Sequence, residues 1–342
     1  MNKEEQLTIV EELLEEGYGR RKIAKSLGIT EWRARSLMQD VIAGDYDLNP
    51  KKASKEKEIR RITKFKTTKR NKPSKATKTE IKVTNTSQPS DVPAKIDIKD
   101  ATLKVAVLSD VHYPYEDQNA IKVCKAYLQD YQPDVIVFNG DITDCYTVSR
   151  YEKNVRNRPS IQDELDYTHD RLAEWVKEFP ETEFKFVEGN HEERLRKHIM
   201  ANAAELITIR DLAYPVLVGL EGLGIEWIPS DHDLQIGDLM FVHGFRARKH
   251  AGTTARAHFE DYGCSVLIGH IHRLSVAWKR NKFGNHALIE NGTLCDFDVE
   301  YAKFPDWQQG FTTVDFDGND FAPTQHAISN YRLIAGGKSY TL

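Results

Sequence analysis

An α/β fold is predicted from residue 100 onward. Short apolar runs of strand length alternate there with longer stretches of helical period, which is the pattern of an α/β chain. The later part of this region is richer in strand-like runs than the earlier part. In addition, residue types able to bind metal fall just past the ends of these runs, where strand-end loops converge on a cleft.

Taken in order, the predicted elements are a strand at 103–109, a helix from Gln118, a strand at 135–139, a helix at 161–178, a strand at 184–188 and a helix from Glu192. Further strands are expected at 225–228, 239–242, 266–269, 287–290 and 311–316. This sets an α/β domain at about 100–320, with 321–342 left as a C-terminal tail. There is no internal repeat.

Two other segments precede it. Residues 4–16 place Leu7, Val10, Leu13 and Leu14 on one face at helical spacing, and Gly17 closes that pattern. Residues 20–27 turn Ile23, Ala24 and Leu27 inward, Gly28-Ile29-Thr30 forms a turn, and 31–43 turn Leu37, Met38 and Val41 inward. Residues 1–45 therefore resemble a small all-α helix-turn-helix module, with Arg33, Arg35 and Gln39 as candidate nucleic-acid contacts. A helical docking or dimerisation module is the other reading of this pattern.

Residues 46–99 are rich in Lys, Ser, Thr, Asn and Pro and have little apolar surface to offset the entropy of ordering, so a flexible linker is expected. Within it, residues 51–82 carry 14 Lys or Arg against three Glu, a net +11. The rest of the chain stands at −15, which the overall charge of −4 conceals. Such a run attracts phosphate backbones through counterion release, and nucleic acid is the partner expected through residues 20–82; a merely solubilising linker is the alternative.

The 40% apolar content of the 342 residues sustains a packed core. The longest apolar runs, such as Val105-Ala106-Val107-Leu108, are far too short to span a membrane, so no membrane partner is expected. The N-terminus opens on Glu4-Glu5 without the basic-then-apolar pattern of a secretory signal, and a cytoplasmic location is expected. Cys124, Cys145, Cys264 and Cys295 are scattered with no C-x-x-C pair, which reads as reduced thiols.

Five clusters carry the chemistry: Asp110-Val111-His112, Asn139-Gly140-Asp141, Gly189-Asn190-His191-Glu192, Val242-His243-Gly244 and Gly269-His270-Ile271-His272. In extended chain, the i, i+2 spacing of Asp110 and His112 sends both side chains to one face, so one metal can take both. The mixture of carboxylate, imidazole and amide suits first-row ions better than calcium, which prefers all-oxygen cages. Manganese is the leading candidate, followed by iron, zinc and magnesium.

The order D-x-H, G-D, G-N-H-E, H and G-H-x-H resembles the calcineurin-like metallophosphoesterase superfamily, over about two-thirds of the chain. The wording of Gly189-Asn190-His191-Glu192-Glu193-Arg194 and Gly269-His270-Ile271-His272-Arg273 is similar to phosphoesterases of tailed phages, and for a phage-encoded chain the expected cytoplasm is that of the host. The resemblance implies a four-layer α/β/β/α sandwich. It also implies two divalent ions, one held by Asp110, His112, Asp141 and His272, the other by Asp141, Asn190, His243 and His270, with Asp141 shared. A water activated by the two ions would attack phosphorus in line. His191 is implied as general acid, oriented by Asp144; a surface turn is the other reading of Asp144.

Two departures argue against the protein-phosphatase branch. Cys145 stands where that branch has a phosphate-clamping arginine, and Ser109-Asp110-Val111-His112-Tyr113-Pro114 is closer to the DNA-repair exonuclease branch. Arg194, Arg246, Arg248 and Arg273 are candidate contacts for substrate phosphates, with surface solvation as the alternative. The leading function is a metal-dependent nuclease. The alternatives are a phosphomonoesterase or cyclic-nucleotide phosphodiesterase and, from another class, a nucleic-acid-binding regulator with a scaffold-type metal domain.

Overall fold

The computed structural model describes residues 6–10, 13, 20–27, 29, 34, 37, 41, 94–96, 98, 101–150, 159–297 and 306–342. They fall into two compact units, residues 1–78 with 153–160, and residues 79–152 with 161–342. In the first, helix α1 (Arg20–Leu27) contributes Ile23 to a buried cluster with Leu7, Val10, Ala34 and Leu37. Four of these five were expected to point inward; Ala34 was not. Arg33, Arg35, Gln39 and the basic run 51–82 lie outside the described residues.

The second unit is built on two six-stranded sheets. The first sheet takes β2 (Thr102–Leu108), β3 (Val135–Asn139), β4 (Glu183–Val187), β5 (Ile225–Ile228), β11 (Gly310–Asp317) and β12 (Asp320–Ala327), in the order β12-β11-β2-β3-β4-β5. The second takes β1 (Ala94–Ile96), β6 (Leu234–Ile236), β7 (Leu239–Val242), β8 (Ser265–Ile268), β9 (Ser275–Asn281) and β10 (Gly284–Glu290), in the order β1-β6-β7-β8-β10-β9.

Strand alternation divides the core three ways. Val105, Val107, Val135 and Val137 meet Leu239, Phe241, Leu267 and Ile289 between the sheets. From the opposite face of the first sheet, Ala106, Leu108, Ile136 and Phe138 pack on α2 (Gln118–Tyr131) and α3 (Ile161–Glu178). From the outer face of the second, Val266, Ile268 and Leu288 pack on Ala255 and Phe259 of a helix at Thr253–Tyr262. Three cores between four layers make the α/β/β/α sandwich.

Two boundaries differ from expectation. Ala94–Ile96, assigned to the flexible linker 46–99, forms β1 and pairs in parallel with β6. The segment 321–342, expected as a tail, supplies most of β12 and the hairpin β13 (Arg332–Ala335) with β14 (Lys338–Thr341). It is held there by the buried side chains of Ile328 and Leu333 and by Tyr340, whose hydroxyl donates to Asp130 at 2.9 Å.

His326 on β12 sits against the rings of Tyr127 and Phe311, with Nε2 2.7 Å from Thr313 Oγ1. Burial pushes it down to about 4, against an unfolded value near 6.5. Between those pH values the unfolded chain takes up a proton that the folded chain refuses. This contribution to stability is complete above about pH 6.5 and is lost as pH falls through about 4. Urea unfolding of His326→Gln should therefore lose less stability than the wild type between pH 7 and pH 4.5; equal losses would count against this account.

β2, β3 and β4 run parallel in one sheet, as do β7 and β8 in the other. Their C-terminal ends open at one edge of the sandwich, and all five motif clusters follow those ends. This is how residues more than a hundred positions apart come together.

Candidate metal centre

Asp110, His112 and His272 form one group whose ligand atoms all lie within 4.8 Å of one another, and Asp141, His243 and His270 form another. The route differs from the expected extended chain. Asp110, His112, Asp141, His270 and His272 all take positive φ, from 53° to 70°. Such left-handed backbone is costly outside glycine and persists only where surrounding contacts impose it. Here the chain turns sharply at each strand end and aims the side chains into the cleft.

Two glycines allow the loops to approach. A Cβ on Gly189 would stand 2.2 Å from the Asp141 backbone nitrogen, and one on Gly140 would stand 2.5 Å from His243 Nδ1. Gly189→Ala is therefore expected to cost roughly 1–3 kcal/mol of stability through overpacking, and to lower metal content with it. Thermal melts with metal analysis check this; full metal content in a stable variant would contradict it.

The candidate ligands lie against one another. His272 Nε2 lies 3.1 Å from Asp110 Oδ1 and 3.2 Å from His112 Nε2. His243 Nε2 lies 3.1 Å from Asp141 Oδ2 and 3.3 Å from Asn190 Oδ1, while its Nδ1 donates to the Asn139 carbonyl at 2.9 Å. That bond leaves the Nε2 lone pair for the cleft. Asp141 Oδ1 accepts the His191 backbone N–H at 2.8 Å.

The charges suit a cation. Burial works to raise Asp110, but His272 overrides it and the carboxyl falls below its usual range. Asp141 is likewise carried well below, as His191 and His243 outweigh burial. Burial opposes a proton on His243 and His272, yet Asp141 pulls the first up to about 9 and Asp110 pulls the second up to about 10. Each carboxylate thus draws a positive proton onto the imidazole facing it, and such protons are what a divalent ion displaces. Burial and the neighbouring His243 hold His270 down to about 4. The Nδ1 atoms of His270 and His272 are buried without a hydrogen-bond partner among the described residues. Two carboxylates, four imidazoles, two of them with an orphaned nitrogen, and an amide oxygen make a donor set that fits two first-row ions.

Behind this set stands Asp144. Its Oδ1 accepts from His112 Nδ1 at 3.0 Å and lies 2.9 Å from His191 Nδ1, while its backbone oxygen lies 2.8 Å from the same His191 nitrogen. Burial disfavours its charge, but the two imidazole N–H groups overcome this and hold the carboxyl far below the usual range. With Nδ1 facing only acceptors, His191 carries its proton there and exposes Nε2, which lies 3.6 Å from Asp141 Oδ2 and 2.6 Å from an Arg194 guanidinium nitrogen. Burial and His191 both push His112 below its usual value.

Glu192 was read only as a letter of the motif. It is fully buried, and its carboxylate accepts four backbone N–H groups: Asp141 and Gly189 on Oε2 at 3.0 and 2.9 Å, Ile142 and Thr143 on Oε1 at 2.8 and 2.9 Å. It ties the loop after β3 to the loop after β4. The available signal was a carboxylate directly after Gly189-Asn190-His191.

The four arginines divide. Arg194 donates to the Asp144 carbonyl at 2.8 Å and sits beside His191. Arg248 is exposed, and its side chain has no partner among the described residues. Arg246 is bound through two nitrogens to Asp261 at 2.8 and 2.9 Å. Arg273 is buried, donating to the carbonyls of Arg248 and Lys249 at 2.5 and 2.7 Å and to Asp306 at 3.1 Å. As placed, neither Arg246 nor Arg273 is free to meet a phosphate; Arg273 instead anchors the backbone that presents Arg248 and Lys249. Cys145 is buried, and burial pushes its thiol well above the ordinary range.

Among known proteins, the chain is 26% identical over 250 residues to the Gene 54 protein of Mycobacterium phage L5, covering 69% of this chain and 97% of that protein. It is 26% identical over 249 residues to the Gene 54 protein of Mycobacterium phage D29, covering 68% and 97%. Solved structures similar to it include wild-type Vps29 of Entamoeba histolytica complexed with Zn2+, at 10% identity and a TM-score of 0.38 over 68% of this chain and 96% of that one. A predicted phosphoesterase from Streptococcus pneumoniae TIGR4 is similar at 13% identity and a TM-score of 0.31, over 70% and 96%. The profile of the calcineurin-like phosphoesterases matches residues 103–321, more than half of the chain and every one of the five motif clusters. The chain belongs to the calcineurin-like phosphoesterase family and is a metal-dependent phosphoesterase.

Proposed function

We propose that this phosphoesterase is a nuclease, hydrolysing internal phosphodiesters of DNA or RNA. The observation that carries the reading is the shape of the cleft. A cavity of about 900 Å³ and another of about 510 Å³ both reach the centre, and Asn190 and His270 line both. A monoester needs room on one side of phosphorus only. A polymer needs an exit on each side, and the two cavities offer them.

When bound, the divalent ions supply positive charge for the phosphoryl oxygens and acidify the attacking water. The residues supply the rest. Asp110, His112 and His272 would hold one ion and Asn190, His243 and His270 the other, with Asp141 available to both. Asp144 fixes the ring of His191 through Nδ1; once Arg194 gives way to substrate, Nε2 takes up a second proton from solvent and the imidazolium hands that proton to the departing sugar oxygen. Arg248 and Lys249 line the smaller cavity, where they meet a flanking phosphate. In this reading the first unit and the basic run hold the polymer, manganese is the leading ion, and the enzyme works in a host cytoplasm, as its phage relatives suggest.

The test is manganese-dependent hydrolysis of a single-stranded oligonucleotide labelled at one end, beside a nitrophenyl phosphate monoester. Internal cuts are expected, with kcat/KM at least ~100-fold above that for the monoester, a gap of roughly 2.7 kcal/mol in transition-state stabilisation. Turnover of the monoester alone would overturn the reading.

A further inference from the structure

We infer that the β9–β10 hairpin is a nucleic-acid-binding arm that guides a single strand away from the active-site cleft. This rests on the nucleic-acid reading of the substrate. Trp278 and Phe283 are 59% and 78% exposed, although each ring is worth burying. Beside them stand Arg280 and Lys282, and residues 275–289 contain no Asp or Glu. A protein-binding face built on apolar contact has no need of such one-signed charge; a polyanion with stackable bases matches both features.

Geometry orders the arm. Strand alternation puts Trp278 and Arg280 on one face of β9, both exposed, and β9 is the outermost strand of its sheet. Lys282 lies over the Phe283 ring at 4.7 Å, so cation and ring present one continuous surface at the turn. Lys279 is on the opposite face, over Phe259 at 4.5 Å, and holds the hairpin to the helix beneath. The strand starts three residues after His272, and six residues of extended chain from His272 to Trp278 span at most about 20 Å. A strand leaving the cleft past Arg248 and Lys249 meets Trp278 first and Phe283 next. Bases stack on the two rings while Arg280 and Lys282 neutralise phosphates.

The test uses the full metal-loaded chain carrying His191→Ala, so that the probe survives, with a 5-iododeoxyuridine single strand photocrosslinked and mapped by peptide mass spectrometry. Adducts on Trp278 or Phe283 are expected. Trp278→Ala with Phe283→Ala should weaken binding of the strand about tenfold, and in the otherwise wild-type chain should leave turnover of a small nitrophenyl ester unchanged. Adducts elsewhere only, with unchanged affinity, would overturn the inference, as would a chain that binds no strand. A chain that crosslinks through the hairpin yet cuts no nucleic acid keeps the arm and removes the nuclease. A chain that cuts nucleic acid with binding indifferent to both rings does the reverse.

Discussion

Asp141→Asn is expected to lower turnover by more than ~100-fold, the upper range seen when only a partner behind a metal ligand is lost. The substitution keeps the shape of the side chain and the oxygen that accepts the His191 N–H at 2.8 Å. What it removes is the charge facing His243, on the carboxylate assigned to both ions. Metal analysis should then give one ion or none per chain under conditions where the wild type holds two. A variant that keeps both ions and most of its activity would show that Asp141 is not shared.

The second large effect concerns the proton given to the leaving group. His191→Ala should slow hydrolysis of a sugar-phosphate ester by ~10²–10⁴, because an alkoxide cannot depart without a proton. With a nitrophenolate leaving group, stable as an anion, the loss should be under about tenfold. Equal losses on the two substrates would assign His191 to positioning instead. Asp144→Asn should show part of the same pattern, at ~10–100-fold. It should also weaken metal binding, because the Asp144 oxygen that meets His191 also holds His112.

Much of this was legible in the chain because the centre is written in residues that serve little else. The strands at 135–139, 225–228 and 239–242 and the helix at 161–178 were predicted to the residue; the strands at 135–139 and 239–242 are apolar enough to be buried on both faces, and the helix is amphipathic at a clear period. Among the strands missed, β1, β9 and β12 lie at sheet edges, whereas β6 lies inside its sheet. β9 exposes Trp278 and Arg280 and β12 carries Pro323, so neither shows a buried run. β1 is three residues long and is defined by its pairing with β6. The convergence of Asp110 and His112 was foreseen for the wrong reason, because left-handed backbone at non-glycine residues leaves no mark in composition or period. The engagement of Arg246 by Asp261 and of Arg273 by the 248–249 carbonyls was not legible, because these partners are tertiary neighbours. Glu192 needed the fold as well, since its four amide donors come from two loops.

The most direct measurement is anomalous diffraction from crystals of the manganese-loaded chain, collected above and below the manganese edge. Two peaks ~3.5–4 Å apart are predicted, one among Asp110, His112 and His272, the other among Asn190, His243 and His270, with Asp141 between them. A single peak, or ions held by other residues, would contradict the two-ion centre on which the proposed chemistry depends.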